Sequence, residues 1–161
     1  MNNNDILRRL RYALDISNPA MIDIFQLSGC TLEQPTLIKL LKKEEEEEFI
    51  ACSNPLLSFF LDGLIIHKRG RRESDAGQPP QPDASLNNNA ILKKLRIALD
   101  LKEEDMLAIM GLAGVKISKA ELSALFRNKE HKHFKECGDQ FLRNFLQGLT
   151  VRFRGDSAAK E

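Results

Sequence analysis

The chain has 161 residues, 42% of them hydrophobic and 29% charged, and a formal charge of +1, a globular composition long enough for one ordinary domain or two small ones. No apolar stretch approaches the roughly 20 residues that cross a bilayer, and the first residues are polar where an export leader would be apolar. Three cysteines, Cys30, Cys52 and Cys137, form neither an even disulfide set nor a metal-ligand spacing. The expectation is a cytoplasmic chain with reduced thiols and no membrane span.

The string NNNDILRRLRYALD at Asn2 returns at Asn87 as NNNAILKKLRIALD. Setting each residue against the one 85 positions later aligns 2–70 with 87–155 without a gap, and more than a third of the pairs are identical. One unit is therefore duplicated. Repeat one covers 1–72 and repeat two 87–155; a Pro-rich linker, 73–86, separates them and a polar tail, 156–161, follows. Two copies of so long a unit predict two similar bodies packed on each other rather than an open solenoid.

Each repeat reads as four helices. Ile6, Leu7, Leu10, Ala13 and Leu14 form one stripe of a 3.6-residue period, repeated by Ile91, Leu92, Leu95, Ala98 and Leu99. Asn4 and Asn89, just before the stripe, are the expected helix caps, which leaves the other Asn of each triplet without a role. A second helix begins at Asn18-Pro19, or Glu103-Glu104, carries Met21, Ile24 and Leu27, or Met106, Ile109 and Leu112, and stops at Gly29 or Gly114. Ser118 to Glu121 is a capping-box pattern for a third helix containing Leu122, Leu125 and Phe126, answered by Leu37, Leu40 and Leu41. A fourth starts at Asn54-Pro55, or after Asp139 as cap, and buries Leu57, Phe60, Leu61 and Leu64, or Leu142, Phe145, Leu146 and Leu149. The β-branched ends at 65–69 and 150–154 fit either more helix or extended chain. The fold class is all-α, two tandem four-helix repeats packed together with pseudo-twofold symmetry.

Catalytic groups are sparse. His131 and His133 are two residues apart and point to different faces of any helix, and the sequence contains no nucleophile elbow, P-loop, dinucleotide motif or HExxH. Cys52 and Cys137 are equivalent positions that suit core packing. The run Glu44 to Glu48 aligns with the mixed segment Lys129 to His133 in repeat two, so its acidity is dispensable to the repeated fold; a solvated loop or helix end is the simplest role, docking on a basic partner or on the basic second repeat the sharper one. No enzyme, cofactor or metal is expected.

Repeat two carries thirteen basic and eight acidic groups against ten and ten in repeat one. The candidate binding surface is basic: Arg8, Arg9 and Arg11, echoed by Lys93, Lys94 and Arg96, and Lys68, Arg69, Arg71 and Arg72, echoed by Arg152 and Arg154. Such groups can neutralise phosphates, or they can form a solvated face in which Arg11 with Asp15 and Arg96 with Asp100 pair at i, i+4. Helices 2 and 3 resemble a helix-turn-helix with too long a turn, and helix 3 offers few base-reading side chains: Lys39, Lys42 and Lys43, or Arg127 and Asn128. Tyr12 and Phe153 are the stacking candidates.

The doubled opening string, the Gly-ended second helix and the FLDGL and FLQGL segments resemble the YehS-like family of bacterial proteins over residues 1–155. The resemblance implies a small bacterial cytoplasmic protein of uncharacterised function and supplies no catalytic or binding residues. The expected function is a non-catalytic module that binds a protein partner in an adaptor or regulatory role. Nucleic-acid binding through helix 1 and the helix 2–3 hairpins is the alternative.

Overall fold

The computed structural model describes residues 1–70 and 85–155. Arg71, Arg72, most of the Pro-rich linker and the polar tail lie outside those residues. Eight helices and no strands are found among the described residues: α1 Asn3–Ala13, α2 Asn18–Leu27, α3 Gln34–Leu40, α4 Asn54–Arg69, α5 Asn88–Ala98, α6 Glu103–Leu112, α7 Lys119–Leu125 and α8 Asp139–Arg154. The chain is all-α, and its two repeats contribute four helices each. None of the helices is long and apolar enough to cross a membrane.

Every buried apolar residue of repeat one has a buried apolar counterpart 85 positions later; Leu10 and Leu95, and Phe60 and Phe145, are fully enclosed. At this density a one-methylene change is felt throughout the interior. The pairing of helices was not legible from those stripes. α1 packs chiefly on α8 and only lightly on α4 of its own repeat, while α5 packs chiefly on α4. Helices α1, α8, α5 and α4 thus close a central ring across the two repeats, α2 covers α4, α6 covers α8, and the short α3 and α7 lie against α2 and α6. Each contact has its twin on exchange of the repeats, as a pseudo-twofold relation requires.

The Asn triplets correct the sequence reading. The caps are Asn2 and Asn87, whose side chains accept from the backbone N–H of Asp5 and Ala90. Asn3 lies in the first turn, where its amide donates to the Cys52 carbonyl at 3.0 Å and to Asn54 Oδ1 at 2.9 Å. Asn4 is buried and donates to the carbonyls of Leu40 and Ile50, both at 2.8 Å, while its oxygen accepts from the Cys52 N–H at 2.9 Å. Asn88 and Asn89 repeat both arrangements with Cys137, Asp139, Leu125 and Lys135. The triplet is one cap followed by two clamps, fastening the start of α1 to the irregular segment before α4. A side-chain amide suits this place, because it alone supplies two donors and an acceptor without charge.

Gly63 and Gly148 explain the shared FLxGL pattern. A Cβ on Gly63 would lie 1.9 Å from the Ile24 carbonyl oxygen, and one on Gly148 would lie 2.1 Å from that of Ile109. Here α4 crosses α2, and α8 crosses α6, with backbone against backbone. The two long helices run unbroken to Arg69 and Arg154, so the β-branched ends are helical. Gly138 rather than Asp139 occupies the cap position of α8, and Leu112, expected on the inward face of α6, is exposed.

Candidate functional site

Most of the basic groups that the sequence singles out are engaged inside the molecule. Asp15 and Asp100, each with φ of 52°, stand one residue past the C-caps of α1 and α5. The chain leaves the helix there through a Schellman turn, in which the N–H groups of Ile16 and Leu101 donate to the Arg11 and Arg96 carbonyls at 3.0 Å. That turn swings each carboxylate off its own helix, so the expected i, i+4 pairs with Arg11 and Arg96 do not form. Instead Asp15 pairs with Arg154 at 3.1 Å and Asp100 with Arg69 at 2.9 Å, two equivalent bridges between the repeats. Arg11 Nε donates to Asn18 Oδ1; Arg96 Nε donates to the Leu101 carbonyl, and its guanidinium covers the Phe126 ring.

The remaining candidates divide in the same way. Arg8 bonds to the Asp5 carboxylate and donates to the Lys42 carbonyl at 2.8 Å. Lys94 on α5 meets Asp62 on α4 at 2.5 Å across the repeat boundary. Arg152 lies 3.6 Å from Asp105, whose carboxyl is held below its usual range by the Lys102 N–H and, against some desolvation, by Arg152. Arg154 also covers the Tyr12 ring at 4.2 Å, which removes that ring as an open stacking surface. Among the described residues only Arg9, Lys68 and Lys93 of the candidate set are exposed and without an ion pair. Most cations of α1 and α5 therefore already have partners within the molecule, while Arg9 and Lys93 remain exposed. Phe153 is exposed.

Neither the thiols nor the imidazoles assemble a reactive centre. Cys52 and Cys137 are buried in the core, and desolvation pushes their pKa up to about 12 and about 11. His131 and His133 lie side by side, exposed, with rings 5.6 Å apart. No group of three or more His, Cys, Asp or Glu side chains arranged to hold a metal ion occurs among the described residues.

What the structure does bring together is the start of the first helix of each repeat, α1 or α5, and the connection before its last helix, α3–α4 or α7–α8. In repeat two this corner is an open cleft of about 670 Å³. Leu125, Phe126, Phe134 and Cys137 contribute apolar surface, and Lys93, Arg127, Lys129 and Glu136 contribute charge. In repeat one the corresponding corner is bridged by Arg8, which reaches from Asp5 to the Lys42 carbonyl. The segments that form it there, Asp5, Arg8 and 42–51, carry three cations and six carboxylates. The repeat-two corner, at Lys93 and 127–136, has five cations and two carboxylates. The sequence reading noted the acidic run and its mixed counterpart, but not that helix 1 completes both corners; that depends on contacts 34 residues apart, between Arg8 and Lys42.

Comparisons with known proteins agree with this duplicated architecture. The uncharacterised protein YehS of Escherichia coli (strain K12) is 45% identical over 152 residues, which span 94% of this chain and 96% of that protein. No solved structure matches the chain significantly. A profile described as a protein of unknown function, DUF1456, matches residues 3–70 and again 88–155, each match covering one four-helix repeat. The chain belongs to the DUF1456 family, carrying two copies of its unit in tandem.

Proposed function

We propose that the protein is a non-catalytic macromolecule-binding module of the cytoplasm, adaptor or regulatory in role, whose partner is a protein engaged through the exposed α3–α4 and α7–α8 connections. The observation that supports this reading is the contrast between interior and surface. The buried apolar residues of repeat one all have buried apolar counterparts in repeat two, whereas 42–51 and 127–136, exposed at nearly every position, have diverged to opposite charge. Exposed charges add little to stability, so the fold does not require either pattern. Charge complementarity does govern which partner docks and how fast.

The nucleic-acid alternative, with helix 1 as the contact face, is disfavoured because most of its cations already have intramolecular partners. Affinity capture from a bacterial lysate tests the favoured reading, with the wild-type chain and a chain carrying Gln at 44–48 as paired baits. A stoichiometric protein retained by the first and lost from the second is expected. Identical captures from both baits, or repeated failure to retain any protein at low salt, would refute it. Tight, salt-sensitive binding to duplex DNA or structured RNA that is lost on replacing Arg8 and Arg11 by Ala would establish the alternative instead.

A further inference from the structure

We propose that the open corner of repeat two is a binding site for a nucleoside phosphate. This inference goes beyond the protein-partner reading: it shares Arg127 and Lys129 with the segment 127–136 but adds Lys93 of α5 and the cleft between them. It starts from the internal comparison that a duplicated chain offers. In repeat one the corner holds its own anion: the Asp5 carboxylate accepts from the Asn2 N–H at 3.1 Å and binds Arg8, whose guanidinium also donates to the Lys42 carbonyl. Two substitutions undo this in repeat two. Ala90 replaces the carboxylate, and Lys93 replaces the guanidinium with a shorter, single-headed cation.

The corner in repeat two has therefore lost its resident anion while gaining cations. Lys93 is exposed on the cleft, joined on its lining by Arg127 and Lys129, and none of the three forms an ion pair among the described residues. Glu136, the one carboxylate of the lining, pairs with none of them in the described structure. The amides of Asn88 and Asn89 are committed to backbone and Asp139, so the cations are the charged groups left to meet a ligand, beside the amides of Asn87 and Asn128.

Size and polarity decide the class of anion. A volume of about 670 Å³ falls within the roughly 300–1,000 Å³ of small-molecule sites, far more than inorganic phosphate fills. The apolar surface of Leu125, Phe126 and Phe134 beside three cations suits a ligand with a flat, weakly polar body and a multiply charged end. Phe126 is already covered by Arg96 on one side, which leaves the half-buried Phe134 as the ring for a base to contact. Cations of this kind form charge-assisted hydrogen bonds to phosphate oxygens, bidentate ones in the case of Arg.

Isothermal titration of the full chain at low salt with ATP, AMP, adenosine and inorganic phosphate tests the proposal. A short single-stranded oligonucleotide, included as a further arm, distinguishes a free nucleotide from a nucleotide within a strand. ATP is expected to bind one to one and more tightly than AMP, with adenosine and inorganic phosphate weaker by about tenfold or more. Two double variants locate the site. Lys93→Ala with Arg127→Ala removes the cations, and Ala90→Asp with Lys93→Arg rebuilds the resident ion pair of repeat one; each should weaken ATP binding by about tenfold or more with an unchanged circular dichroism spectrum. Backbone amide shifts on adding ATP should cluster at 87–93 and 125–137. Absence of saturable binding at millimolar ATP, undiminished binding in both double variants, or shifts centred on repeat one would overturn the proposal.

Discussion

Replacing Asn4 by Ala isolates the clamp between helix 1 and the segment before α4. The substitution removes three hydrogen bonds and strands the Leu40 carbonyl, the Ile50 carbonyl and the Cys52 N–H in a place where the side chain is almost wholly enclosed, at 2% exposure. Each stranded buried group costs about 1–3 kcal/mol, so the loss is about 3 kcal/mol or more. Asn89 makes the same three contacts but is only partly buried, and water can reach the groups it abandons. Its replacement should cost roughly 1–2 kcal/mol. In a chain of this size a kilocalorie moves the melting temperature by roughly 2–4 °C, so Asn4→Ala should melt lower by roughly 6–12 °C. Urea unfolding followed by circular dichroism, with calorimetry alongside, measures both. An Asn4→Ala protein within about 0.5 kcal/mol of wild type, or an Asn89→Ala protein that is the more damaged of the two, would show that burial of the amide is not what sets its worth.

Other outcomes follow from the same geometry. Gly63→Ala and Gly148→Ala drive a methyl group into the facing carbonyl and should each lose about 1–3 kcal/mol or more in thermal unfolding; a neutral effect would mean that the crossing helices separate freely. In double-mutant cycles the partly buried Lys94–Asp62 pair should couple more strongly than Arg69–Asp100 and Arg154–Asp15, whose carboxylates are exposed and whose pairing is worth about 0–1 kcal/mol; equal couplings would contradict this. A thiol reagent at pH 8 should spare Cys52 and Cys137 in the folded protein and modify them in denaturant. Because burial raises the Cys52 pKa from 9.0 to about 12, its contribution to stability is complete below pH 9 and is lost as the pH climbs toward 12, so the denaturation midpoint should fall over that window. Finally, residues 1–72 alone lack the α8 that α1 packs on and the α5 that α4 packs on. They should pair as a homodimer by light scattering, and a cooperatively melting monomer would refute the exchanged packing.

Much of the fold was legible because its determinants are local. The stripe Ile6, Leu7, Leu10, Ala13 identifies a buried helix face from spacing alone, and Ser118 with Glu121 forms the capping box that its pattern announces. Gly29 and Gly114 take positive φ just beyond their helices, as their position suggested. Local reasoning failed where the partner is distant in sequence. Three consecutive Asn residues offer three equivalent caps, and what separates Asn2 from Asn4 is a set of carbonyls 36 and 46 residues away. Arg11 and Arg96 were expected to pair with Asp15 and Asp100 on a continuous helix; the positive φ of both Asp residues ends the helix first and sends the carboxylates to the other repeat. Seven of the ten described candidate cations therefore have intramolecular partners that spacing alone did not reveal. Sequence shows where a cation is, but not whether the fold has already neutralised it.

The sequence by itself determined that the chain is a duplicated all-helical unit, which residues line most of its interior, and that the α3–α4 and α7–α8 connections differ in charge. Tertiary structure alone decided which helix 1 packs on which helix 4. The stripes of α1 and α5 are nearly the same, as are those of α4 and α8, so docking within a repeat and docking across the pair bury the same side chains and satisfy the same periodicity. The choice rests on the close Gly63 and Gly148 crossings, which place α2 and α6 against the long helices, and on the ion pairs that join the repeats. The ion pairs, unlike the glycine crossings, exist only once both repeats have folded together.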